Sequence, residues 1–233
     1  MERGCMLLLM MVLIMDIGRA EGQLVEDFYS LPRPNVEALL KKAVSTKFNQ
    51  TFTTIPATLP LFFHDCFVTG CDASTMGSSP NGDAEKDAPD NLSLAGDGFD
   101  TVVKAKQEVE GETIYLISIP AETNLTIGFC VIKTQAGDPS FDVELGRRDG
   151  LVSKASLVKG ILPEPGFNLS RLNAIFAGNN LSQIDMIALS GAHALGFSNC
   201  SRFVNRLYSF PSSSPVDPSL NQDYAKQLME GCP

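Results

Sequence analysis

The stretch Phe62-Phe63-His64-Asp65-Cys66-Phe67-Val68-Thr69-Gly70-Cys71-Asp72-Ala73-Ser74 constrains the fold of this chain more than any other. One of only two histidines stands in it, with two cysteines five apart, two aspartates and a serine. A histidine, a short disulfide and a cluster of oxygen ligands all fit there, and an ordinary packed helix has no use for such density. Asp65, Asp72 and Ser74, with the backbone carbonyls of Val68 and Gly70, alternate as hard oxygen donors on a loop that a Cys66 to Cys71 link would tighten. Hard oxygens on a constrained loop are what Ca²⁺ takes. The same residues also suit an acidic turn with a helix cap. His64 and His193 each read, taken alone, as satisfied core or surface residues. Asn91 changes that for His64, because an amide oxygen on one ring nitrogen holds the other available as a base. Zinc is a poor fit, since two histidines without paired spacing leave too few ligands.

Cysteine usage depends on compartment. Residues 6 to 15 are a run of ten apolar side chains, preceded by Arg3 and followed by Ala20-Glu21-Gly22. This is the pattern of a signal peptide at residues 1–22 with a mature start at Gln23. The run is too short to span a bilayer, which takes about 20 apolar residues, so no membrane anchor is expected. An oxidising compartment favours disulfides over thiolate metal sites. Cys5 leaves with the signal, and among the remaining Cys66, Cys71, Cys130, Cys200 and Cys232 the odd one is Cys130, embedded in an apolar run from Ile127 to Ile132. Cys200 and Cys232 bracket the last helical segment, and a loop-closing disulfide is the simplest reading. Sequons at Asn49, Asn91, Asn124, Asn168, Asn180 and Asn199 fit a secreted glycoprotein. A net charge of -9 with no run of Lys or Arg excludes nucleic acid as partner.

Apolar spacing of three and four predicts helices over residues 35–48, 99–110, 169–177 and 181–189, with others over 198–208 and 224–230. A helix carrying Phe62 to Val68 is expected to start near Pro60, because proline inside a helix costs about 3 kcal/mol. Residues 70–98 are rich in Gly, Pro, Asp, Asn and Ser and read as a long surface loop. Residues 113–135 are β-branched and aromatic and prefer strand or irregular structure.

Five ordered motifs carry a family resemblance. They are Phe63-His64-Asp65-Cys66-Phe67-Val68 with Gly70-Cys71-Asp72-Ala73-Ser74, Glu85-Lys86 with Asn91, Leu145-Gly146-Arg147-Arg148-Asp149-Gly150, Leu162-Pro163-Glu164-Pro165, and Leu189-Ser190-Gly191-Ala192-His193. They resemble the secreted plant haem peroxidases (class III), across most of residues 23–110 and 137–233. The resemblance implies an all-α haem-peroxidase fold, haem b and Ca²⁺ as cofactors, and hydrogen peroxide with small phenolic donors as substrates. It further implies a role in peroxide removal, a monomer, and a secreted location in the cell wall, extracellular space or vacuole. By the same resemblance His64 is the distal base, Asn91 orients it, and Phe63 lines the distal face. His193 is the axial iron ligand, and Pro163 meets aromatic donors at the haem edge. Asp65, Val68, Gly70, Asp72 and Ser74 bind the distal Ca²⁺, with Glu85 tied in indirectly. Peroxide would be split heterolytically and two phenols oxidised one electron at a time.

Some positions depart from the family pattern. Pro60 stands where the family has an arginine, Phe62 where it has a histidine, and Ala194 where it has a threonine that serves a second Ca²⁺. Leu31-Pro32 replaces a Cys-Pro pair, and residues 113–135 replace a helix with two cysteines. The chain reaches Cys232 without the helices that carry the carboxylate partner of the axial histidine. The expectation is therefore an incomplete domain over 23–233, truncated at its C-terminal part, with mis-splicing as the source of residues 113–135. An alternative is a catalytically impaired secreted remnant that binds Ca²⁺ or haem. Hydrolase chemistry by His64 beside Cys66 fits less well, since the disulfide occupies Cys66.

Overall fold

The computed structural model describes residues 24–111, 119–137, 139, 141–192, 196, 198–210 and 214–232. The expected signal peptide and His193 lie outside them. Helices α1 (Val36–Gln50), α2 (Thr54–Val68), α3 (Gly96–Glu110) and α4 (Ala121–Gln135) pack on one another. Val36, Leu40 and Val44 recur every four residues on α1, and Val102, Ala105 and Val109 every three or four on α3, so each helix turns one apolar stripe inward. Most of these stripes join Ile127, Val131 and Ile132 of α4 in one core with Tyr29 and Leu145. A Cβ at Gly98 would meet the Ala57 carbonyl oxygen at 2.6 Å, so α2 and α3 approach closely where only glycine fits. Lys47 ties α1 to α3 through Asp100 at 2.6 Å and Asp97 at 3.4 Å.

A second apolar cluster joins Phe67 of α2 to Ala88, Val158 of α5 (Ala155–Val158), Leu162, Phe176 of α6 (Leu169–Gly178) and Met186 of α7 (Gln183–Ala192). A third gathers Leu207 of α8 (Val204–Tyr208), Ala225 of α9 (Gln222–Gly231) and Cys232. The Cys66–Cys71 and Cys200–Cys232 disulfides form as expected, and Cys130 remains a thiol. Among the described residues no strand forms, only an isolated antiparallel bridge between Val25 and Leu145. The all-α expectation holds. No helix of the described residues is long and apolar enough to cross a membrane.

The structure corrects four local expectations. Residues 121–135 are helical rather than strand-like, because burial of Leu125, Ile127, Val131 and Ile132 outweighs a weak β preference. That helix is also capped from afar: the Asp149 carboxylate accepts the Ala121 and Glu122 amides, both at 3.0 Å. Helix α2 starts at Thr54, not near Pro60, so Pro60 sits inside it and deprives the Pro56 carbonyl of its helical donor. The expected helix over 198–208 is a 3-10 turn at Cys200–Arg202 followed by the short α8. Of the sequons, Asn91 and Asn124 are buried at 2% and 0% exposure, beyond the reach of glycosylation in the folded chain, whereas Asn49, Asn168, Asn180 and Asn199 are exposed.

Candidate functional site

His64 sits on the next-to-last turn of α2, facing the 70–98 loop. Its Nδ1 lies 2.7 Å from the Asn91 side-chain oxygen. The Asn91 amide nitrogen donates to the Glu85 carbonyl at 2.7 Å, which leaves only the amide oxygen to face the ring. Nδ1 therefore carries the proton and Nε2 carries the lone pair. The Asn91 side chain is buried, so this choice of tautomer is enforced without competition from water.

One helical position on, Asp65 is buried at 0% exposure. It accepts from the amides of Asp72 (3.2 Å), Ala73 (2.9 Å) and Thr75 (3.2 Å) and from the Thr75 hydroxyl (2.9 Å). These bonds hold Ala73 in the left-handed region at φ 55°, a conformation unfavourable to a residue with a Cβ. Gly70, at φ 107°, makes the turn that the Cys66–Cys71 bridge closes. Ser74 donates to Glu85 at 2.9 Å and its amide bonds Asp72 at 3.0 Å. The 145–155 segment fastens this loop from behind. The Gly150 amide donates to the Asp72 carbonyl at 2.6 Å, and a Cβ at Gly150 would fall 2.2 Å from the Asp72 carboxylate. The Ser153 hydroxyl accepts the Glu85 amide at 3.1 Å.

The loop concentrates negative charge. Burial pushes the Asp65 carboxyl up to about 6, opposed by the donors from Ala73 and Thr75 and reinforced by Asp72. Burial also raises Glu85, against the Ser74 hydrogen bond and with Asp65 and Asp72 adding to it. Glu85 Oε1 is buried with no hydrogen-bond partner among the described residues. A cation fits this setting, since it would relieve three mutually repelling carboxylates. No three His, Cys, Asp or Glu side chains of the described residues converge on a point, so the Ser74 hydroxyl and the Val68 and Gly70 carbonyls would have to complete such a shell.

His64 opens onto a cleft of about 790 Å³. Its walls include Pro56, Ala57 and Pro60 of α2, Leu92 and Leu94, the Leu162-Pro163-Glu164-Pro165 loop, and Ser198, Asn199 and Arg202. The structure thus brings His64 and Pro163 around one space, with Asn91 behind His64 on its Nδ1 side. Pro56, Ala57, Pro60, Leu92, Leu94 and Leu162 supply apolar wall for the face of a group of porphyrin size, and His64 stands among them. Most of the rest of the lining is polar or charged, which suits a ring with an apolar face and a polar edge. Phe63 is not among its walls. It lines a separate cavity of about 620 Å³ with Leu189 and Ala192, and its ring stacks on Phe67 at 4.8 Å.

The family model described as Peroxidase matches residues 40–233. The chain belongs to the peroxidase family. Peroxidase 51 of Arabidopsis thaliana is 53% identical over 234 residues, an alignment covering 100% of this chain and 71% of the relative. Peroxidase 55 of the same plant is 54% identical, covering 95% and 67%, and Peroxidase 50 is 49% identical, covering 98% and 70%. Against the peroxidase pattern, two departures meet in space: Phe62 stacks on Phe129 of the divergent α4, with ring centroids 4.3 Å apart and planes 15° apart. The positions of Asp149 at the start of α4 and of Arg202 on the cleft wall are set by distant chain. Asp149 belongs to a recognisable motif, but its service as a helix cap spans 28 positions.

Proposed function

We propose that this chain is a secreted haem peroxidase that reduces hydrogen peroxide at the expense of small phenolic donors, with haem b in the 790 Å³ cleft and Ca²⁺ on the Asp65–Ser74 loop. The observation that carries the reading is the His64–Asn91–Glu85 relay, which presents an unprotonated Nε2 to that cleft. Bound haem supplies the oxidising capacity drawn from peroxide and passes it on one electron at a time. His64 Nε2 takes the proton of the bound peroxide and returns it to the departing oxygen, which leaves as water. Asn91 holds the ring for both transfers, and the Nδ1 proton stays on Nδ1 throughout. Phe63 stiffens α2 behind the base by packing on Phe67. Pro163 forms part of the cleft wall, where a phenol approaches. Asp65, Asp72 and Ser74, with the Val68 and Gly70 carbonyls, hold the cation, and Glu85 supports it through Ser74. His193 is the residue proposed to hold the iron.

The test is a haemin titration of the full chain, followed by peroxide and a phenol. A sharp Soret band and phenol oxidation are expected, and His64→Ala should lower kcat/KM for peroxide by roughly 10² to 10⁴. A chain that binds no haemin, or a His64→Ala variant with unchanged peroxide kinetics, refutes the reading.

A further inference from the structure

Among the described residues of the cleft wall, one side chain carries a permanent positive charge: Arg202. The carboxylates on its wall are Asp90, Asp97 and Glu164. Asp97 is engaged by Lys47 at 3.4 Å and by the Thr53 hydroxyl at 2.5 Å, which leaves Asp90 and Glu164 as negative charge facing the space. No hydrogen bond or ion pair holds the Arg202 guanidinium among the described residues, while its neighbour Arg206 is already committed to Asp217 at 2.8 Å.

The backbone beneath Arg202 is unusually well fixed for an exposed position. Arg202 ends the 3-10 turn Cys200–Arg202, which the Cys200–Cys232 disulfide anchors to α9. The Asn199 side chain accepts from the Ser201 amide at 3.2 Å and its hydroxyl at 3.1 Å, and the Arg202 amide closes the turn on the Asn199 carbonyl at 2.9 Å. A guanidinium offers a planar fork of donors that matches a carboxylate, and it stays charged at any working pH.

On the reading that the cleft holds haem, we propose that Arg202 binds a propionate carboxylate of the porphyrin and thereby sets which edge of the ring enters the cleft. Among the described wall residues, a dianionic ring meets repulsion from Asp90 and Glu164 and attraction at Arg202. Pro60 supplies no charge on the α2 wall, so the orientation falls to Arg202. Ser198 and Asn199 flank it as neutral wall residues.

The test compares haemin with its dimethyl ester, in which both propionates are neutral, by Soret titration of the full chain and of Arg202→Ala and Arg202→Lys. Arg202→Ala is expected to weaken haemin binding roughly tenfold, the size of a lost hydrogen bond between charged groups. Its affinity for the diester should match that of the unsubstituted chain, and Arg202→Lys should recover part of the loss. Equal affinity of Arg202→Ala and the unsubstituted chain for haemin overturns the proposal, as does an equal loss for haemin and diester. If the unsubstituted chain binds neither porphyrin, the haem reading itself fails.

Discussion

The most consequential choice at the scale of a single residue is made by Asn91, which decides where the proton of His64 resides. Asn91→Ala removes the acceptor from Nδ1 and frees the ring to adopt the other tautomer. A fall in kcat/KM for peroxide of roughly 10- to 100-fold is expected, smaller than for loss of the base itself. Unchanged steady-state kinetics would show that the relay does not orient the base. Glu122 offers a test of a different kind. Its carboxyl is at 0% exposure, and burial raises its proton affinity, against a hydrogen bond from Thr126 and the charge of Arg147. A carboxyl that binds its proton more tightly when folded adds stability fully present below the ordinary glutamate range and lost as pH rises through the raised folded value. Urea midpoints should therefore decline across that window in the parent chain and decline less in Glu122→Gln. The same slope in both proteins would remove Glu122 from the account.

At the scale of elements, α2 carries both His64 and the main liability. Pro60 lacks the amide that would satisfy the Pro56 carbonyl, and an interior proline costs about 3 kcal/mol relative to alanine. Pro60→Ala should raise the urea midpoint, with up to that amount of stabilisation. Pro60→Arg should in addition place a cation on the cleft wall and raise the peroxide rate by roughly 10²- to 10³-fold. A Pro60→Arg variant with the parent's peroxide rate would count against a role for charge on that wall. The helices differ in how far their residues announced them. Helices α1 and α3 were legible because their apolar periodicity is local, and both ends fall within a few residues of expectation. Helix α4 was not, since its capping carboxylate, Asp149, and its burial against α1, α2 and α3 come from distant chain. The start of α2 is hidden in the sequence because Pro60 is a genuine penalty that the surrounding packing of Ala57, Leu59 and Leu61 overrides. The meeting of Asn91 with His64 was legible through the motif order, and Glu85 meets Ser74 as well. Arg202 was not, because nothing in its neighbours' identity shows which cleft they border.

At the scale of the whole molecule, stability is distributed among clusters joined by covalent and ionic ties. The Cys200–Cys232 bridge closes a sequence separation of 32 residues around α8 and α9. Replacing both cysteines with serine should cost roughly 2–4 kcal/mol in stability, read from urea unfolding. Ca²⁺ at one hundred times its dissociation constant should stabilise by about 2.7 kcal/mol, so chelation should lower Tm measurably and Asp65→Asn should abolish the difference. A chelator without effect on the parent chain would argue that the loop is an acidic turn and nothing more.

The fastening of the distal loop by Gly150 and Ser153 also sets an order of events in time. The Glu85–Ser153 contact joins residues 68 apart, and a loop that long must close before it yields any gain. Contacts of high sequence separation slow folding and tend to form late. The loop around Asp65 therefore reaches its final shape only after the central segment has docked, and during refolding the ability to retain Ca²⁺ should return after the helical signal of α1 and α3.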